Sequence, residues 1–189
     1  YRKYNLFAKL TYDLSTRSSI SLAVSSYGGD WYASGQIPLR EVEAGRLGFF
    51  GFLDPSEGGS STRQNVYLSY QLRDAKQELT ALAYLSRYQL RLYSNFTFFA
   101  RDPIQGDGIE QSDERYLAGL RASYRRKVRI DWLSFDSSVG INARFDDIEN
   151  GLYHQQQRER ISTSAAHQVR ETSLAMFAKE EISFAQWVR

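Results

Sequence analysis

The chain has 189 residues, 42% of them apolar, and a formal net charge of only +2. That near-balance excludes a global electrostatic pull toward nucleic acid, and the absence of Cys excludes disulfides and thiolate metal sites. No run of about 18 apolar residues is present for a transmembrane helix, but a transmembrane β-strand needs only about 9–11 residues, apolar at alternate positions, so a mean hydropathy of −0.51 does not exclude a membrane.

The dominant period along the chain is two. Tyr4, Leu6, Ala8, Leu10, Tyr12 and Leu14 alternate with Asn5, Phe7, Lys9, Thr11 and Asp13. One face is apolar with aromatic ends and the other mostly polar, which predicts a half-buried strand and not a helix. Ser15 to Ser18 reads as a short turn. Ile20, Leu22 and Val24 then alternate with Ser19, Ser21 and Ser25.

A long connection is expected from about Gly28 to Gln64. It holds Pro38, Pro55, Gly58-Gly59-Ser60-Ser61 and the cluster Phe49, Phe50 and Phe52. Loops of that length are uncommon in compact domains and often functional. Val66, Leu68, Tyr70 and Leu72 open the next strand, and Asp74-Ala75-Lys76-Gln77 is its turn. The returning strand runs from Leu79 to about Phe99. Its apolar residues change parity between Leu85 and Tyr88, which predicts a bulge near Ser86-Arg87.

A polar loop from Arg101 to Glu114 precedes a strand carrying Tyr116, Ala118, Leu120, Ala122 and Tyr124. Arg125-Arg126-Lys127, with Arg129, reads as a basic turn. Val139, Ile141, Ala143 and Phe145 mark the following strand. A third long connection is expected from about Asn150 to His167, and Thr172, Leu174, Met176 and Ala178 belong to the last full strand. Another strand begins at Trp187-Val188-Arg189.

Short and long connections thus alternate. The predicted fold is all-β, an antiparallel up-and-down meander of roughly seven transmembrane strands from a larger outer-membrane barrel, with short turns on one side and long loops on the other. Tyr and Trp at strand ends fit interfacial girdles. A lipocalin-like barrel or a β-sandwich is the soluble alternative, a carrier that would turn the apolar face inward around a hydrophobic ligand. In the membrane reading Leu6, Leu10 and Leu14 face outward, and Lys9 and Asp13 face the lumen.

If the short turns are periplasmic, the first strand runs inward from the outer face. With no signal peptide at Tyr1 and no closing strand, the expectation is an internal fragment of residues 1–189.

Four segments carry a family resemblance. Leu92-Tyr93-Ser94-Asn95-Phe96-Thr97-Phe98-Phe99 runs into Asp102-Pro103-Ile104-Gln105-Gly106-Asp107-Gly108-Ile109-Glu110-Gln111. The others are residues 30–40 (DWYASGQIPLR), 146–153 (DDIENGLY) and 169–178 (VRETSLAMFA). In this order they resemble the barrel region of TonB-dependent receptors, the outer-membrane active transporters. The resemblance implies uptake of a scarce nutrient, most often a ferric siderophore, with cobalamin or a glycan as other cargoes. It implies an outer-membrane location in a Gram-negative bacterium, surrounding lipid, and coupling to the TonB complex through a plug domain that this segment lacks. The full barrel of such transporters has about 22 strands.

Candidate sites are few. Trp31, Tyr32, Phe49, Phe50 and Phe52, with Arg40 and Arg46, form the proposed ligand-binding set, because exposed aromatics need a ligand, a partner or a loop core to cover them. Packing within the loop is the competing reading. Lumen-facing Lys9, Arg121 and Arg144 could attract an anionic siderophore or pair with plug carboxylates.

His154 and His167 read as polar loop residues, since a metal site needs more ligands. Asp102, Asp107 and Asp113 lack calcium-loop spacing and read as turn formers. Asp146, Asp147 and Glu149 are expected at the outer rim, where either a cation site or plain polarity would serve. Arg125, Arg126, Lys127 and Arg129 read as a solvated cluster rather than a nucleic-acid surface. No Ser–His–acid set, Gly-x-Ser-x-Gly or phosphate loop occurs, so no catalytic role, cofactor or metal is expected.

Overall fold

The period-two segments become strands because their β-branched, aromatic and leucine side chains suit a pleated surface with one apolar side. The computed structural model describes residues 1–184. Its elements are β1 (Arg2–Ser15), β2 (Ser18–Tyr32), a one-turn helix α1 (Leu39–Glu43), β3 (Gly58–Arg73), β4 (Gln77–Ser94), β5 (Ile109–Ile130), β6 (Leu133–Gln156) and β7 (Glu159–Phe184). All seven strands form one sheet in chain order, each neighbour antiparallel. Among the described residues no helix is long and apolar enough to cross a membrane.

Directly paired residues share a face, so the register can be read across the sheet as rows. One row is Leu10, Leu22, Leu68, Ala83, Leu120, Ala143 and Leu174. Below it lie Tyr12, Ile20, Tyr70, Ala81, Ala122, Ile141 and Met176; above it lie Ala8, Val24, Val66, Leu85, Ala118, Phe145 and Thr172. A belt apolar at every position but Thr172 therefore runs over all seven strands. The opposite face carries Lys9, Ala23, Tyr67, Tyr84, Gly119, Arg144 and Ser173 in one row. In β4, Ala83, Leu85, Arg87 and Arg91 are exposed while their even-numbered neighbours are half-buried, so in this strand the apolar side is the more open one.

The belt slants. In β1 its positions run from Tyr4 to Leu14; in β7 they run from Leu174 to Phe184, interrupted by Glu180. Leu174 lies in the row of Leu10, so the outer limit slides six residues over six strand steps. Strands tilted by about 35–45° and spaced about 4.8 Å apart, as in a barrel, shift a horizontal band by roughly one residue per strand.

Three turns close one end: Thr16-Arg17, Asp74 to Lys76, and Asp131-Trp132. In the second, Asp74 Oδ1 accepts the N–H groups of Lys76 and Gln77 at 2.8 and 3.0 Å. The other end carries the long connections, residues 33–57 and 95–108, and the turn Gln157-Arg158.

Several expectations require correction. The third long connection does not exist: β6 and β7 continue to a two-residue turn in which Gln157 and Arg158 have φ of 53° and 70°. The usual Asn-Gly signature of such a turn is missing, and the flanking residues are polar on both faces. The bulge at Ser86-Arg87 is also absent, since β4 pairs without a shift on both sides. The parity change is instead an inversion of polarity. Above the belt, Arg87, Gln89 and Arg91 occupy the side that is apolar below, while Tyr88, Leu90 and Leu92 occupy the other.

Bulges occur where β6 pairs with β7, at Leu152/Tyr153 and His154/Gln155. Arg125, Arg126, Lys127 and Arg129 lie in β5 rather than a turn, and Asp146, Asp147 and Glu149 lie within β6 rather than at its end. The first long loop is shorter than expected because β2 and β3 reach Tyr32 and Gly58. The strand expected at Trp187-Val188-Arg189 lies outside the described residues.

Candidate functional site

The long-loop end is built around a few side chains that substitute for missing strand pairing. Asp54 Oδ1 accepts the backbone N–H of Ser56 at 2.8 Å and its hydroxyl at 2.6 Å; Oδ2 accepts Asn95 Nδ2 at 2.7 Å. Glu57 Oε1 accepts the Asn95 N–H at 3.1 Å. The first and second loops are stitched together through Asn95, which is buried along with Ser56 and Glu57.

Within the second loop Asp107 is the organiser. Its carboxylate accepts the Thr97 hydroxyl at 2.6 Å and the N–H groups of Arg101 and Asp102 at 3.0 and 2.8 Å. Asp102 in turn accepts the Ile104 and Gln105 N–H groups, both at 2.9 Å. The aspartates predicted as turn formers have that role here; Asp113, in β5, instead pairs with Arg115.

The β6–β7 turn folds onto both loops. Arg158 Nε donates to the Ser56 carbonyl at 2.8 Å, and Nη2 to the carbonyls of Glu57 and Trp31 at 3.3 and 3.5 Å. Its guanidinium lies 4.6 Å from the Tyr32 ring centre and 4.9 Å from that of Tyr93. The Gln155 N–H donates to the Gly108 carbonyl at 2.8 Å, and His154 Nε2 is 2.6 Å from the Gly106 carbonyl. Next to this, Arg160 makes a two-point pair with Glu110 at 2.7 and 2.8 Å and stacks 3.6 Å above Tyr153. Glu110 is 1% exposed, and a planar guanidinium is the partner best shaped for a buried carboxylate.

These environments move the loop carboxylates apart. Burial raises the Asp54 carboxyl, but hydrogen bonds from Ser56 and Asn95 outweigh it and hold the group below the usual carboxylate range. Burial pushes Glu57 up, only partly offset by the Asn95 N–H. The Thr97 hydroxyl, followed by backbone N–H groups, lowers Asp107, and the Gln105 and Ile104 N–H groups lower Asp102.

The sequence-predicted ligand residues fall into two groups. Trp31 and Tyr32 end β2 and are structural in part: the Trp31 ring lies where a Cβ on Gly59 would be 2.8 Å away, and Tyr32 carries Arg158. The other group lies in the first loop. Arg46 is clamped on Glu41 at 2.6 and 2.9 Å, and Arg40 lies 3.7 Å from the same carboxylate. Phe49 and Phe50 meet edge to face at 5.1 Å. They remain 71% and 91% exposed, and Phe52 56%, so packing within the loop does not cover them.

Arg144 pairs with Asp146 at 2.6 Å and Asp147 with Arg170 at 3.2 Å. No group of three or more potential metal ligands occurs among the described residues. Sequence reasoning missed Arg158, Glu57, Glu110 and Arg160; no local motif marks them, because their partners lie about 50 to 100 residues away.

No protein-family model and no curated protein matches the chain. Among solved structures, the crystal structure of the ferric citrate transporter FecA in its unliganded form matches with a TM-score of 0.73 over 98% of this chain, at 14% sequence identity. The chain corresponds to only 28% of that one. The fold is thus that of an antiparallel meander from the wall of a β-barrel like FecA.

Proposed function

We propose that this chain is part of the barrel wall and extracellular loops of a TonB-dependent receptor, which takes up a scarce nutrient, a ferric siderophore above all, across the outer membrane. The observation that carries this reading is the slanting apolar belt. Leu10, Leu85 and Leu174 are 72, 62 and 63% exposed, and among the described residues no second layer covers them. Only an apolar solvent on the open face makes such a surface stable, because apolar area left in water costs about 25 cal/mol per Å². A soluble carrier would turn the belt inward, to the side that here holds Lys9, Arg121 and Arg144 with serines and tyrosines.

The loops stitched by Asp54, Asn95 and Arg158 are the extracellular mouth, and Phe49, Phe50 and Phe52 present apolar contact surface to the cargo. Arg40 adds positive charge for an anionic cargo. The test is replacement of all three phenylalanines by Ala in the complete receptor. Cargo uptake falls while the amount of receptor in the outer membrane stays the same. Unchanged uptake at equal abundance would remove these residues from the binding mouth.

A further inference from the structure

The apolar belt is broken in one row. Among the described residues its outward positions carry two charges, Arg126 of β5 and Glu180 of β7. The register puts them in the same row, with Ser137 of β6 between them. Both are exposed. Their charged neighbours are engaged on the opposite face, where Arg125 and Lys127 meet Asp136, and Lys179 meets Glu181. Gln77, next to Arg126 in the row, is taken by the Tyr124 hydroxyl and by Asp74. Arg126 and Glu180 therefore have no ion-pair partner among the described residues.

Their depth makes this unusual. Arg126 stands five residues before Asp131 of its turn, as Leu10 stands six before Thr16 of its own. In strands tilted by about 35–45° that is a rise of roughly 12–17 Å, near the middle of an apolar band about 25 Å tall. A guanidinium and a carboxylate aimed at acyl chains are costly there.

A row that carries both signs is complementary to itself. A two-fold axis along the membrane normal, passing over Ser137, sets Arg126 of one copy against Glu180 of the other, and Glu180 against Arg126. That is the isologous contact of a closed dimer. The two charges are separated by two strand spacings, roughly 10 Å, and the small serine leaves room for the side chains to meet over the axis. Tyr124, Val139 and Ala178 form the row above, and Val128, Phe135 and Ile182 the row below. These flanks shield the pairs, and charge-assisted hydrogen bonds strengthen where water is excluded. We propose that β5 to β7 are the seam of a homodimer, held in register by reciprocal Arg126–Glu180 pairs between two copies of the chain. The inference rests on the outer-membrane placement proposed above. A pair closed within one wall would instead leave the protein monomeric.

The experiment uses the complete receptor and two measurements. Native mass spectrometry in mild detergent gives the dimer fraction, and Ser137→Cys, oxidised with copper phenanthroline in intact outer membranes, gives the crosslinked fraction at the axis. Wild type is dimeric, and Ser137→Cys crosslinks to a second copy while Ser69→Cys, on the other face of β3, does not. Arg126→Glu sets like charges against each other and lowers the dimer fraction of folded receptor about tenfold. Arg126→Glu combined with Glu180→Arg restores it. Glu180→Gln, which removes one charge, gives the same direction should the reversal fail to assemble. Monomer in both measurements would overturn the dimer, as would a dimer fraction that neither Arg126→Glu nor Glu180→Gln lowers. A folded double exchange that stays monomeric would overturn the pairing, and a crosslink to a different protein would overturn the second copy as occupant. Recovery of wild-type receptor outside the outer membrane would overturn the placement instead.

Discussion

Arg158 donates to the carbonyl of Ser56, 2.8 Å away and 102 residues earlier in the chain. One side chain at a hairpin tip thus ties the β6–β7 turn to the first long connection. It donates to the carbonyls of Ser56, Glu57 and Trp31, and stacking between Tyr32 and Tyr93 fixes its plane. A lysine has one compact charge and cannot match this arrangement.

Arg158→Ala should therefore loosen both loops while leaving the wall intact. Hydrogen exchange in the complete receptor is expected to accelerate at residues 54–57 and 95–98 and to stay unchanged in the strands below, at Val66 to Leu72. Arg158→Lys should recover little. Uniform exchange in wild type and variant would assign the loop order to the Asp54–Asn95 contacts alone.

The belt makes a directional prediction about assembly. Leu68 and Leu120 lie in its central row. On the proposed outer-membrane placement, arginine at a lipid-facing midplane position costs roughly 2–4 kcal/mol, so Leu68→Arg and Leu120→Arg should each reduce the folded protein in heat-modifiability gels. Ser69→Arg, on the other face of β3, should assemble normally. The reverse result would exchange the two faces.

The loop carboxylates predict an acid response with a defined sign. Asp54, Asp102 and Asp107 have folded-state values below their unfolded ones. Their contribution is complete above the ordinary aspartate range and is lost as pH falls through the lowered folded values. Glu57, raised by burial, works oppositely: its charged form is disfavoured in the fold, and the penalty is relieved as pH falls through its raised value. Loop protection in wild type should thus hold well into the acid range before collapsing, and Glu57→Gln should preserve or increase it near neutrality. A marked loss of protection in Glu57→Gln at pH 7 would show that the charge itself is required.

Gly58 offers a stringent test of the junction between first loop and sheet. Its φ is 133°, and an added Cβ would lie 2.2 Å from the Trp31 carbonyl oxygen. Both the backbone conformation and the backbone neighbour resist a side chain, at a cost of order 1–3 kcal/mol. Gly58→Ala should lower the thermal stability of the outer rim, whereas Gly48→Ala, where nothing lies within 4 Å, should be silent.

What the sequence determined by itself is the wall. Period-two alternation from Tyr4 to Leu14 or from Tyr116 to Tyr124 is a local property of a pleated strand, and with short polar turns it specifies the antiparallel meander, but not its register: the bulge expected at Ser86-Arg87 is absent, and the shifts at Leu152/Tyr153 and His154/Gln155 leave no local signal. The side chains that order the long-loop end were not legible. Arg158 meets Ser56 only after β3 to β6 have brought them side by side, Arg160 meets Glu110 only across β6, and a guanidinium seeking backbone carbonyls leaves no spacing signal. The inversion of polarity in β4 looked like a bulge for a related reason. Strand geometry stays regular there while the outward side chains change from apolar to polar, and only the assembled sheet shows that Gln64 of β3, paired with Arg87, changes at the same level.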